Sequence, residues 1–370
     1  MKANRIKNAV VVPALLMALA ACSDQEAGNR EVIKEPGKTI TVIDSAGRET
    51  GALDISIDAI EPHEHVAITD WLDDETAVAI KANEALGKMS LAELSDAYPR
   101  SLYRYHLGTK AFEPLVERKD AFLGDGELSP DRKHLLYSEY SLGDPAYHVL
   151  NLETMKSFAI AGGPTAGAMS AHWTDDGKAI GAAYGGGAYT ASPDGQIEAV
   201  KGLPAEGLII VRQMKGKIYY NANADESLHM LDLATNKRTA LNLARVSTLL
   251  PSPDGNQMLA LQYNDSQKTL TMYDADGAHP KVIAQGTELG GVSWSPDQRL
   301  IAYSLKGAAG GTSGNGLYVY DLLTDKATRI AVDVENAQTA WSPSGQALAY
   351  AVWDGSEFDS SIVRLTLGVK

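Results

Sequence analysis

One phrase, "VSWSPDQRLIAYS" from Val292, returns along most of the chain, and repetition of this kind constrains a fold more tightly than composition does. Its relatives are "ITDWLDDETAVAIK" from Ile68, "GELSPDRKHLLYSE" from Gly126, "SAHWTDDGKAIGAA" from Ser170, "LLPSPDGNQMLALQ" from Leu249 and "TAWSPSGQALAYA" from Thr339. A degenerate copy, "IVRQMKGKIYYNA" from Ile210, fills the one gap. Aligned on the turn, Asp74, Asp131, Asp176, Lys215, Asp254, Asp297 and Ser344 stand 57, 45, 39, 39, 43 and 47 residues apart.

Each unit reads as strands. A short run ends at Trp or a bulky residue, a Ser-Pro-Asp-Gly turn reverses the chain, and an apolar run such as Leu300–Tyr303 follows. Pro fixes φ at the first central turn position, and Gly accepts the unusual φ after it. A second hairpin closes the unit, as in "LYVYDLLTDKATRIAV" from Leu317 and "LHMLDLATNKRTALNL" from Leu228. Four strands per period predict an all-β chain, a β-propeller of four-stranded blades. Seven blades are favoured, with six as the alternative if the Ile210 unit is incomplete. The last unit, ending "SSIVRLTLGVK", is one strand short, so an N-terminal strand near Ile40–Asp44 is expected to close the ring and remove an open edge.

Trp294-Ser-Pro-Asp, with Gly after the Asp in other copies of the phrase, followed by Ile-Ala-Tyr and a "LYVYDL" strand resembles the repeat of TolB-like, PD40-type propellers and of the propeller domains of prolyl-oligopeptidase-like peptidases, from about Ile68 onward. The resemblance implies the architecture and leaves function open, since those relatives include partners, scaffolds and enzymes. Two features depart from TolB: it has six blades, and its N-terminal α/β domain has no counterpart here. The peptidases also carry a Ser-His-Asp domain with a Gly-x-Ser-x-Gly nucleophile. The nearest look-alike here, Gly311-Thr-Ser-Gly-Asn315, lacks the final Gly and sits in a glycine-rich loop, which excludes that mechanism and leaves Ser313 as a candidate binding residue.

The first residues carry a different signal. "MKANRIKNAVVVPALLMALAACSDQ" has a basic start, an apolar run and small residues before Cys22, the layout of a secretory signal too short to span a bilayer. Leu19-Ala-Ala-Cys22 resembles the bacterial lipobox, which implies a lipoprotein signal peptide over 1–21 and a covalent lipid on Cys22. It further implies an extracytoplasmic protein anchored to the membrane, at the outer membrane if the cell has two, since Ser23 follows Cys22. Cys22 is the single cysteine, so no disulfide supports the domain. Residues 22–38, charged and containing Pro36 and Gly37, read as a flexible tether, and 39–370 as the propeller domain. With a formal charge of -14, or -17 once the three leader cations are removed, nucleic acid is not an expected partner.

Candidate sites lie where the units disagree. The longest spacing holds "KANEALGKMSLAELSDAYPRS", where Ser90-x-x-Glu93 reads as a capping box and Leu91, Leu94 and Tyr98 recur at helical spacing. A helical insertion over about 81–101 is therefore expected, with Tyr98 as a binding residue. Trp353 breaks the repeat register and is read as a surface contact, whereas Trp71, Trp173, Trp294 and Trp341 share one repeat position and read as packing between blades. His63 and His65 would point to one face of a strand, where they could ligate a metal with Glu61 or Asp70. Asp274-Ala-Asp276-Gly277 resembles the start of a calcium loop, lacks the later ligands and reads as a turn. No cofactor beyond the lipid is expected. The reading that follows is a lipid-anchored binding module for a protein partner or small ligand at the cell envelope. The alternatives are a channel-mouth, metal-assisted hydrolase or lyase and a structural envelope lipoprotein.

Overall fold

The computed structural model describes residues 30–35, 38–43, 53–143, 145–160, 168–222, 225–307 and 314–369. The leader, Cys22 and Ser313 lie outside the described residues. The chain divides into two compact units, Met1–Ala52 and Leu53–Lys370.

In the first unit, Arg30–Glu35 pairs antiparallel with Lys38–Ile43. The described part of the expected tether is therefore strand. Val32, Ile33 and the Thr39–Ile43 run supply the β-branched residues that suit a ladder, a signal that net charge obscures.

In the second unit, consecutive four-stranded antiparallel meanders follow the sequence repeat. Separate sheets run from Ala168–Trp173 to Ile197–Ala199, from Leu208–Met214 to Lys237–Ala244, from Val246–Pro251 to Lys281–Gly286 and from Glu288–Trp294 to Lys326–Val332. The degenerate copy at Ile210 thus forms a complete sheet. Two further meanders, beginning at Ala67–Trp71 and Phe122–Leu128, are joined into one eight-stranded sheet by the parallel pair Arg100↔Phe122.

The last sheet takes its fourth strand from the other end of the sequence. Phe358–Val369 pairs with Leu53–His63, in a register that sets Ile55 opposite Leu367 and His63 opposite Ser360. This corrects the expected strand at Ile40–Asp44. The strand that pairs is the second of the two runs in "TITVIDSAGRETGALDISI", extended to His63, and it sets Ile55 against the apolar cluster of Val363, Leu365 and Leu348.

Both faces of each sheet are covered, which explains why the inner strands are wholly apolar instead of alternating. In Gln257–Tyr263, Leu259 and Leu261 pack towards the following sheet with Ile301 and Tyr303, while Met258 and Ala260 pack towards the preceding one with Met214 and Tyr219. The last sheet packs on the first in the same manner, through Ala340, Ala347 and Ile362 against Ile68, Trp71 and Ala79.

The recurring turn has a repeated internal construction. Ser129, Ser252 and Ser295 each donate from Oγ to the Asp two residues on, at 2.6, 2.7 and 2.5 Å, and accept the N–H five residues on, at 3.0, 3.0 and 2.9 Å. Thr174 donates to Asp176 in the same way at 2.5 Å. The hydroxyl satisfies a buried donor and locks the reversal, so the Ser-x-Asp of the phrase serves geometry.

The insertion is not α-helical. Only two 3₁₀ turns form, Glu84–Leu86 and Ala92–Leu94, and Leu91 occupies the position before the second one, with no side-chain cap. The Ser90 N–H donates to Asp120 instead, at 2.5 Å. A segment this short, stopped by Pro99, does not repay the cost of helix nucleation.

Candidate ligand-binding site

The Trp shared by the repeat is a hook between sheets. Trp71 Nε1 donates to the Ala340 carbonyl at 3.0 Å, Trp173 to the Glu127 carbonyl at 2.9 Å and Trp294 to the Leu250 carbonyl at 3.4 Å. Along a strand, side chains alternate between faces. The residues just before the Trp position are Asp70, Glu127, His172, Gln213, Leu250, Ser293 and Ala340, with Arg212 and Val292 one step earlier in two units. Here the repeat is uniform in backbone and diverse in chemistry.

Several of these residues converge. Glu127, His172, Arg212, Gln213, Leu250 and Ser293 line a cavity of 550 Å³. Its lining also includes the turn residues Asp175 and Asp254, the polar Thr339 and the apolar Met214, Pro251 and Val292. The lining mixes charged and polar groups with apolar side chains, as a small-molecule site does.

Glu127 and His172 form one contact of this lining. His172 Nδ1 lies 3.4 Å from Glu127 Oε2, and the Trp173 N–H donates to Glu127 Oε1 at 3.5 Å. Water reaches 42% of the Glu127 side chain and 26% of His172, with protein around the remainder. Burial alone would raise the Glu127 carboxyl, but the His172 contact and the charges of His172 and Arg212 hold it below its ordinary range. Burial, reinforced by Arg212, lowers His172, so the imidazole is neutral at pH 7. Asp70 accepts the N–H groups of Trp71 and Leu128, both at 2.7 Å. Burial, with Glu127 nearby, pushes its carboxyl up to about 6.

Arg212 is the unusual member. Among the described residues its guanidinium makes no hydrogen bond or ion pair, although a guanidinium offers five donors. Burial lowers its pKa to about 10, against the opposing pull of Glu127 and Tyr147, so it remains charged. A cation on a cavity wall with no protein partner is a seat for an anion.

The residues expected from sequence lie elsewhere. His63 and His65 are not brought together. His63 is buried with Nδ1 2.8 Å from the Tyr105 hydroxyl, whereas His65, at φ 60°, pairs through Nδ1 with Glu357 at 2.5 Å. Strand alternation does not extend to His65 because the strand stops at His63. Their expected co-ligands are engaged too: Glu61 pairs with Arg364 at 2.7 Å, and Asp70 holds the two backbone N–H groups. Tyr98 lies beneath Lys88, whose Nζ is 6.0 Å from the ring centre. Trp353, 47% exposed, packs edge-on against Phe358 at 4.9 Å, and with Phe122, Tyr140 and Phe358 it surrounds the Arg100 guanidinium. None of these lines the cavity of Glu127 and Arg212. The signal that would have found that cavity was the residue before each Trp position: polar in four successive units as Asp70, Glu127, His172 and Gln213, then Leu250, Ser293 and Ala340.

No protein-family model and no curated protein matches the sequence. Solved structures do match. An oligogalacturonate lyase in complex with manganese superposes with a TM-score of 0.61 at 11% identity, covering 92% of this chain and 96% of that one. The β-propeller domain of Cps50 (Swd1) from Myceliophteria thermophila gives 0.57 at 11% identity, over 85% of this chain and 100% of that one. TolB from Acinetobacter baumannii gives 0.50 at 15% identity, over 78% and 63%. With the four-stranded meanders, these likenesses identify the fold as a β-propeller.

Proposed function

We propose that the protein is a lipid-anchored, extracytoplasmic binding module of seven blades, its ring closed by Leu53–His63, which takes a small organic anion in the cavity walled by Glu127, His172 and Arg212. The observation that carries this reading is the Arg212 guanidinium, charged, placed on a cavity wall and without a protein partner among the described residues. A carboxylate accepts two parallel N–H bonds from such a fork, and the apolar side chains of Met214, Pro251 and Val292 in the same lining offer contact to the rest of the ligand. The lipid on Cys22 would hold this site at the envelope. The test is a thermal-shift panel of small carboxylates against their uncharged amides. At about 100 times Kd, a bound carboxylate should raise the melting temperature by about 3 °C or more, the amides and the Arg212→Gln variant showing no rise. A panel in which amides match carboxylates would refute the reading.

The likeness to an oligogalacturonate lyase supports a second reading, an enzyme of the channel mouth acting on an acidic sugar. The neutral His172, steadied by Glu127, is a fitting proton acceptor for it. Among the described residues no group of three or more His, Cys, Asp or Glu comes together to hold an ion. Release of an unsaturated product from oligogalacturonate, followed by ultraviolet absorbance, would favour the enzyme over the binding module.

A further inference from the structure

We infer that the ligand of this cavity is a zwitterion, an α-amino acid with an apolar side chain; the inference rests on the proposal that Arg212 seats an anion. A site built for a simple carboxylate would not set an under-satisfied carboxylate in the same lining, since like charges penalise the bound state. Glu127 is such a group. Both of its oxygens are held only by long contacts, 3.4 Å to His172 and 3.5 Å to the Trp173 N–H, and its side chain stays 42% accessible. His172 cannot neutralise it, because burial and Arg212 keep the imidazole uncharged at pH 7.

Glu127 and Arg212 carry opposite charges on one cavity, yet they form no ion pair with each other. Each therefore keeps its bonding capacity for a third party. An ammonium group meets the open acceptors of Glu127, and a carboxylate meets the fork of Arg212. A molecule with both groups on one carbon satisfies the two at once and enters with no net charge. Its side chain then has Met214, Leu250, Pro251 and Val292, the apolar side chains of the same lining, to pack against. The 550 Å³ of space falls in the range of pockets that enclose small ligands.

Isothermal titration of the full chain with L-leucine, 4-methylpentanoate and 3-methylbutylamine separates the terms, because the three share a skeleton and differ in charge. L-Leucine should bind about tenfold or more tightly than either partner compound, in line with the worth of one charged hydrogen-bonded pair. In Glu127→Gln the advantage of L-leucine over 4-methylpentanoate should vanish, with the melting curve showing that the variant folds. If 4-methylpentanoate binds the wild type as tightly as L-leucine, the zwitterion inference fails while the anion seat stands. If neither carboxylate binds, both fail together.

Discussion

Trp71 donates its indole N–H to the carbonyl of Ala340 across 3.0 Å, tying the first sheet to the last. Trp341 occupies the same repeat position in the last sheet, is also buried, and has no acceptor for its Nε1. The two residues therefore separate packing from hydrogen bonding. Trp71→Phe removes a buried indole–carbonyl hydrogen bond and should cost about 1 kcal/mol more than Trp341→Phe, which gives up an unsatisfied donor. Urea denaturation of both variants checks this. Equal losses would mean that the indole hook adds nothing to packing.

Met155 shows how the second hairpin turn tolerates chemistry that does not suit it. Its φ is 56°, in the left-handed region, where the corresponding turn positions elsewhere carry Lys110, Asn236 and Asp325. The Met155 side chain is 46% exposed, and its N–H bonds to the Asn151 carbonyl at 2.8 Å regardless of side chain. Asn enters this conformation more readily than Met, and a β-branched residue enters it worst. Met155→Asn should stabilise by about 0.5 kcal/mol, and Met155→Val should destabilise by about 1 kcal/mol. Reversed signs in thermal denaturation would contradict the turn assignment.

Asp70 makes stability depend on pH with a definite sign. Burial, with Glu127 adding to it, lifts its carboxyl from the ordinary 3.8 to about 6 in the folded state, against the two backbone N–H groups that it accepts. The folded protein thus holds the proton more tightly than the unfolded chain does. As pH rises from about 4 through 6 the native state loses that proton, and this part of stability is lost with it. Melting temperatures from pH 4 to 7 should show the wild type losing ground to Asp70→Asn over this window, with a constant gap above it. Parallel profiles throughout would show that Asp70 does not titrate there.

The architecture was legible in the sequence because the propeller repeats one set of local instructions. Ser129, Ser252 and Ser295 lock the same turn in three units, and apolar runs such as Leu300–Leu305 announce strands buried on both faces. The pairing partner of the last strand was less legible. Two strand-like runs precede the first repeat, and only the packing of Ile55 against Val363 and Leu365 distinguishes Leu53–His63 from Lys38–Ile43. The insertion misled because helical spacing over one turn is satisfied equally by the 3₁₀ turn at Ala92–Leu94.

The cavity was hidden for a different reason. Glu127, His172 and Arg212 lie in three separate units, 45 and 40 residues apart, and only the fold brings them to one cavity. Departures from the repeat, such as Trp353 and His63–His65, stand out in the sequence and lie away from this cavity. The variable chemistry sits inside the repeat, one position before its most regular residue.

If Arg212 seats the carboxylate of a small ligand, a crystal structure of the protein soaked with 4-methylpentanoate or L-leucine will show it. Ligand density is expected in the cavity with both carboxylate oxygens at hydrogen-bond distance from the Arg212 guanidinium and the aliphatic chain against Met214, Pro251 and Val292. Density for the carboxylate at another site, with Arg212 left unpaired, would contradict it.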